Sequence, residues 1–244
     1  MERLLNVDIM RLIIIFLLLF SIQWIAAQPK RTYQFSESFT RVSVFGPFKV
    51  TLVPSDKNEL ILNYEKIDPD DVVTEIDEDR LVLKMRNRKY LDDWRENRGS
   101  DYVKVILHYK SVDEISAKAG AVVSNESFLV SRNLLIESDM GAQVNLNVKA
   151  KNLYIKCNMG SDNRLTGKAE LLDIKAGMGS MLHAGDLTAQ SCFIKASMGA
   201  EVKVQVTEEL VANASMGAVV HYNGTPAKTD FTTALGGEVL SRNR

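Results

Sequence analysis

The sequence predicts an all-β protein, a single-stranded β-solenoid of about 19-residue coils, closed at one end by an N-terminal β region. Two observations carry this. First, a glycine recurs through the second half of the chain at Gly120, Gly141, Gly160, Gly179, Gly199, Gly217 and Gly236, with spacings of 21, 19, 19, 20, 18 and 19 residues. Second, apolar and small residues alternate with polar ones between these glycines, the pattern of a strand with one face inside. A repeat this short cannot bury its own apolar face, so it must stack on its neighbours.

In chain order, residues 1–27 read as a secretory signal peptide. Arg3 and Arg11 precede an unbroken apolar run from Leu12 to Phe20, and Ala26-Ala27 offers a small-residue cleavage site. Whether the segment is cleaved or kept as an anchor stays open at this point. Either way the protein is expected to be exported to the periplasm, the outer-membrane surface or the extracellular space. Residues 28–110 carry strand signals without the repeat, at Phe39 to Phe45, Phe48 to Val53, Glu59 to Tyr64, Val72 to Ile76, Leu81 to Met85 and Val103 to Tyr109. Gly46-Pro47 looks like a hairpin break, and the charged stretch from Arg86 to Asp101 reads as an exposed loop or short helix.

Residues 111–240 form the coils. Counting back from each glycine, position −5 is Ile115, Ile136, Ile155, Ile174, Ile194, Ala212 and Phe231, and position −7 is mostly leucine. Position −3 is small, and position −4 is Glu137, Lys156, Lys175, Lys195 and Asn213. Each glycine is expected to turn a corner at positive φ, where a Cβ is costly. Position −1 holds Met140, Met159, Met178, Met198 and Met216, and the alternation places this column in the core. That register excludes it as a metal or redox stripe.

The chain has 30 basic and 31 acidic residues and a net charge of −1, which removes the electrostatic case for nucleic acid. Its only cysteines, Cys157 and Cys192, fall in different columns two coils apart. At about 4.8 Å per coil they lie beyond disulfide reach, so both are expected to be free and buried.

Val42 to Val53, Val72 to Leu83, and Ile115 to Ala121 with the successive Gly-Ala/Ser coils resemble the bacterial head GIN domain family of putative auto-transporter adhesins, over about residues 39 to 240. The resemblance implies a β-helical, exported cell-envelope protein. Methionine before the glycine, in place of the family's commoner serine, is a departure. No stretch after residue 110 reads as the lipid-facing strands of a translocator barrel.

Candidate chemistry is sparse. His183 and His221 share position +4 two coils apart, with Lys203 between them, and read as a solvated face. No metal and no cofactor is expected. A carbohydrate-active enzyme, a lyase or hydrolase on a β-helix, is the alternative function, and Asp139 and Asp162 are the acids able to approach each other around a corner. The preferred reading is a non-enzymatic envelope module, binding or structural. Its candidate ligand face is the column Lys156, Lys175 and Lys195 beside Tyr154 and Phe193, with envelope glycan or protein as partner and self-association open. Asn125-Glu-Ser127 and Asn223-Gly-Thr225 match the glycosylation pattern, which carries little weight in a bacterial chain.

Overall fold

A computed structural model describes residues 30–63, 68–86 and 102–242. The expected signal segment lies outside these residues, as does nearly all of the charged stretch after Arg86. The strands are β1 (Lys30–Gln34), β2 (Arg41–Phe45), β3 (Phe48–Pro54), β4 (Glu59–Asn63), β5 (Val72–Asp77) and β6 (Arg80–Met85). They continue with β7 (Val103–Tyr109), β8 (Glu114–Lys118), β9 (Val122–Asn125), β10 (Leu129–Ser138), β11 (Gln143–Cys157) and β12 (Asp162–Ala176). The last are β13 (Met181–Ala196), β14 (Glu201–Ser215), β15 (Val219–Asn223), β16 (Lys228–Ala234) and β17 (Glu238–Ser241).

From β8 onward the chain winds as a parallel solenoid. Each coil pairs in register with the next, so that Ile136 sits on Ile155, Ile155 on Ile174 and Ile174 on Ile194. Leu134, Leu153, Leu172, Cys192 and Leu210 form a second fully buried column. Parallel strands stacked this way satisfy their backbone groups across the ladder and present one apolar face to a common interior.

The N-terminal region joins this stack out of chain order. β2 pairs in parallel with both β6 and β8, and β3 with both β7 and β9. Gly46-Pro47 is therefore not a hairpin break, because β2 and β3 are successive sides of one coil. Gly46 N–H donates to Lys118 O at 3.1 Å, which stacks that corner on the next. The isoleucine column thus continues through Val42 to Leu81. Beyond it the ladder turns antiparallel. β5 pairs with β6, β4 with β7, and β1 with β4. Such strands cover the end of the stack, where exposed edges would invite edge-to-edge association.

The corners correct one expectation. Methionine at −1 and glycine at 0 both have positive φ, 51° and 71° at Met140-Gly141 and 49° and 67° at Met178-Gly179. The residue after the glycine donates back across the pair, as in Ala142 N–H to Asp139 O at 3.2 Å and Ser180 N–H to Gly177 O at 3.1 Å. Two central residues at positive φ with that hydrogen bond make a type I′ turn. The strand alternation therefore ends two residues before the glycine, and the left-handed backbone swings the methionine outward. The five methionines are 41–51% exposed and form a ridge on the surface, not a ladder in the core. The small residue after each glycine, Ala142, Ser161, Ser180, Ala200 and Ala218, is the one that points inside.

Cys157 and Cys192 are free and buried. Burial pushes the Cys157 thiol up to about 11, against a smaller opposing effect from Ser180, and burial raises Cys192 as well. The thiolate is the reactive form, so neither should react with iodoacetamide at pH 8 in the native protein. Unfolding in guanidinium should release two reactive thiols, counted by mass spectrometry. Rapid native labelling of either would contradict the packing.

Candidate functional site

The residues of the candidate ligand face lie in two adjacent outward columns. Lys156, Lys175 and Lys195 stack in register between Glu137 and Asn213. Lys156 Nζ lies 2.8 Å from Glu137 Oε1, and that hydrogen bond raises the lysine pKa. Neighbouring Tyr154 and Phe193 are 38% and 36% exposed, but Asp173 stands between them in the ladder. The two rings are thus two coils apart, about 10 Å, so they form separate contacts along the face.

Beside this face the coils make a second bend that has no glycine. In β11 the buried residues run Val144, Leu146, Val148 and then Leu153, Ile155, Cys157. The odd step from 148 to 153 breaks the alternation, and Lys149 and Lys151 project outward across it. The next coil repeats this with Lys168, Ala169 and Glu170. Arg132, Lys149, Lys151 and Lys168 together line an open trough of about 750 Å³. Lys151 lies 3.9 Å from Glu170, and Lys149 Nζ stands 4.1 Å above the Phe128 ring. Exposed Val130 supplies an apolar patch on the trough wall. Toward the C-terminal coils the same bend becomes neutral at Thr188 and Thr207, then acidic at Glu208 and Glu209. The sequence reading missed this cluster. Its signal was the four-residue gap in the apolar alternation, filled by Lys-Ala-Lys-Asn.

A smaller cleft of about 280 Å³ opens on the N-terminal halves of β12, β13 and β14 and on β15. Arg164, His183, Lys203 and His221 stack along it in register, with Arg242 at the end. His183 and His221 therefore line a concavity, where the sequence placed them on a solvated face. Acids accompany the column: Asp162 lies 3.8 Å from Arg164 and 3.6 Å from His183, Glu201 lies 2.7 Å from Lys203, and Glu201 and Glu238 both act on His221. Burial, then the charge of Arg242, lowers the His221 pKa. The neighbouring acids leave little net field to hold an anion. Among the described residues no group of three His, Cys, Asp or Glu side chains could hold a metal ion.

The two acids considered for catalysis are occupied differently. Asp139 Oδ1 accepts the Met140 N–H at 2.8 Å, bracing its own corner. Asp162 serves the cation column just described. No helix among the described residues is long and apolar enough to cross a membrane.

This is a parallel β-solenoid that buries a continuous apolar interior and displays its chemistry as stacked outward columns. The chain belongs to the family described as "Putative auto-transporter adhesin, head GIN domain", which matches residues 38–226. Solved structures share the fold. One is described as a putative adhesin from Bacteroides fragilis NCTC 9343, with 18% identity and a TM-score of 0.69 over 89% of this chain and 98% of that one. Another, a putative adhesin from Parabacteroides merdae ATCC 43184, has 15% identity and a TM-score of 0.63 over 87% and 95%. A third, described as a putative lipid binding protein from Parabacteroides distasonis ATCC 8503, has 13% identity and a TM-score of 0.59 over 87% and 96%. No curated protein matches this chain.

Proposed function

We propose that this protein is an exported, non-enzymatic binding module of the cell envelope, and that it holds an anionic envelope glycan along its second bend. The observation that carries this is the trough lined by Arg132, Lys149, Lys151 and Lys168, in which Glu170 is the one acid among the lining residues. Several cations on a rigid ladder attract a polyanion far better than isolated pairs do, because the groups are already in place and their fields add. The trough borders the lysine and aromatic columns of the predicted face. A chain of phosphorylated or uronic-acid sugars can lie across the bend and rest on Tyr154 or Phe193. The leader-like N-terminus supports export, and the adhesin and lipid-binding descriptions of the structural neighbours are in keeping with a surface-binding role.

The test is binding of the mature protein to lipopolysaccharide and to acidic and neutral polysaccharides at low and high salt. Arg132→Gln, Lys149→Gln and Lys168→Gln together should weaken binding to the acidic ligands at least about tenfold and flatten its salt dependence. Lys156→Gln, Lys175→Gln and Lys195→Gln together should have a smaller effect, and both variants should keep the wild-type circular dichroism spectrum. Equal binding by wild type and the trough variant, or a preference for neutral glycans, would rule the reading out.

A further inference from the structure

At five consecutive corners the chain holds methionine in the left-handed backbone region, with φ of 51°, 46°, 49°, 52° and 52°. That region favours glycine, asparagine and aspartate, and an unbranched apolar residue there is uncommon. Burial does not offset the conformational cost, because each side chain remains about half exposed. The turn itself does not require methionine either. Ala119 and Leu235 take the same position at φ of 56° and 49° in the first and last corners of the series. What distinguishes the five intervening corners is the thioether.

The corners are locked in register. Gly120 N–H donates to Met140 O at 3.1 Å, Gly141 to Met159 at 3.0 Å, Gly160 to Met178 at 3.0 Å, Gly179 to Met198 at 2.9 Å and Gly199 to Met216 at 3.0 Å. Five identical side chains thus leave five nearly identical backbones at the strand spacing of about 4.8 Å. Repeating one rotamer along the column repeats the sulfur at that interval, and three rotatable bonds let each sulfur adjust. A bond between a first-row metal ion and sulfur is about 2.3 Å. Two such bonds in line span about 4.6 Å, so an ion can bridge successive coils without moving the backbone. Uncharged thioether ligands select soft ions of the copper(I) kind over zinc, magnesium or calcium. The residues that precede these methionines are Asp139, Asn158, Gly177, Ser197 and Ser215, none of them a cation. Met181, exposed on the outer face of the strand after the Met178 corner, adds a sixth thioether between Asp162 and Glu201.

We propose that the column Met140, Met159, Met178, Met198 and Met216 is a binding site for soft monovalent metal ions of the copper(I) class, held between thioethers of neighbouring coils. The exclusion of this column as a metal stripe rested on an inward-facing methionine, and the outward turn geometry removes that ground.

Silver(I), which is redox-inert, is the probe, added as the nitrate to the mature protein in chloride-free buffer. Calorimetry and native mass spectrometry should show at least two ions per chain, bound at about micromolar affinity or tighter. X-ray absorption should show sulfur neighbours only. Changing all five methionines to leucine should lower the affinity at least tenfold and leave the thermal melt in place, since Leu235 already occupies this corner. Should that variant fail to fold, Met159→Leu with Met178→Leu should still reduce the stoichiometry. A Cys157→Ala, Cys192→Ala variant should bind silver as the wild type does. Absence of silver binding, unchanged binding by the methionine variants, dependence on the cysteines, or nitrogen and oxygen neighbours at the metal would each overturn the proposal. Retained glycan binding in the methionine variants is expected, which keeps this site separate from the basic trough.

Discussion

Gly167→Ala is expected to destabilise the protein by about 3 kcal/mol or more. Gly167 lies within β12 at φ +119°, and a Cβ there would sit 2.0 Å from the Val148 carbonyl oxygen. The oxygen belongs to the neighbouring coil, paired directly with Gly167, while Leu187 pairs on the other side. Neither neighbour can retreat without breaking its own ladder hydrogen bonds. The substitution therefore combines an unfavourable φ with a backbone clash. The corner glycines differ: Gly160 and Gly179, at φ +69° and +67°, have nothing within 4 Å of an added Cβ. Alanine there should cost only the left-handed strain, about 1–2 kcal/mol, and valine somewhat more through its branched Cβ. Urea unfolding of Gly160→Ala and Gly167→Ala side by side checks this. If the corner variant lost more stability than the strand variant, the steric account would be wrong.

Leu172→Ala should cost about 3–4 kcal/mol, within the usual range for a fully buried leucine. Leu172 is completely buried between Leu153 and Cys192 of the adjoining coils. Cys192 is already the narrow member of its column, so the new cavity would open beside an existing narrowing. Cross-coil hydrogen bonds hold the strands apart and oppose collapse into the space. The energetic consequence should follow the cavity, and Cys192→Ala, which removes less volume, should cost less than half as much. Chemical denaturation of both variants tests the comparison. A loss below about 1 kcal/mol for Leu172→Ala would mean that the coils can close up, contrary to the ladder geometry.

Much of the fold was legible because a solenoid repeats its message. The isoleucine and leucine columns appear at the same offset from glycine in coil after coil, and the structure stacks them in register. The predicted strand from Val103 to Tyr109 is β7 to the residue. Misreadings came where the pattern is local or broken. Methionine at −1 has the parity of a core position, but a strand's parity holds only while the backbone stays extended. Two successive residues at positive φ end it, and hydrophobicity alone does not mark that point. Gly46-Pro47 fits a hairpin by composition, yet its strands find partners at β6 to β9, a pairing decided by segments far along the chain.

The candidate site divides in the same way. Lys156, Lys175 and Lys195 were visible because they recur at one offset. Arg132 and Lys151 share one offset and Lys149 and Lys168 another, each recurring only once, and the second bend brings the two pairs around a common trough. The sequence by itself determined the coil length, the buried columns and the positions of the glycine corners, since each follows from burying a short repeat against its copies. The tertiary structure decided which way the corner methionines point, how the N-terminal strands enter the stack and where the cations gather. Those depend on backbone handedness and on pairing between distant segments, which a one-dimensional pattern of apolar and polar residues does not contain.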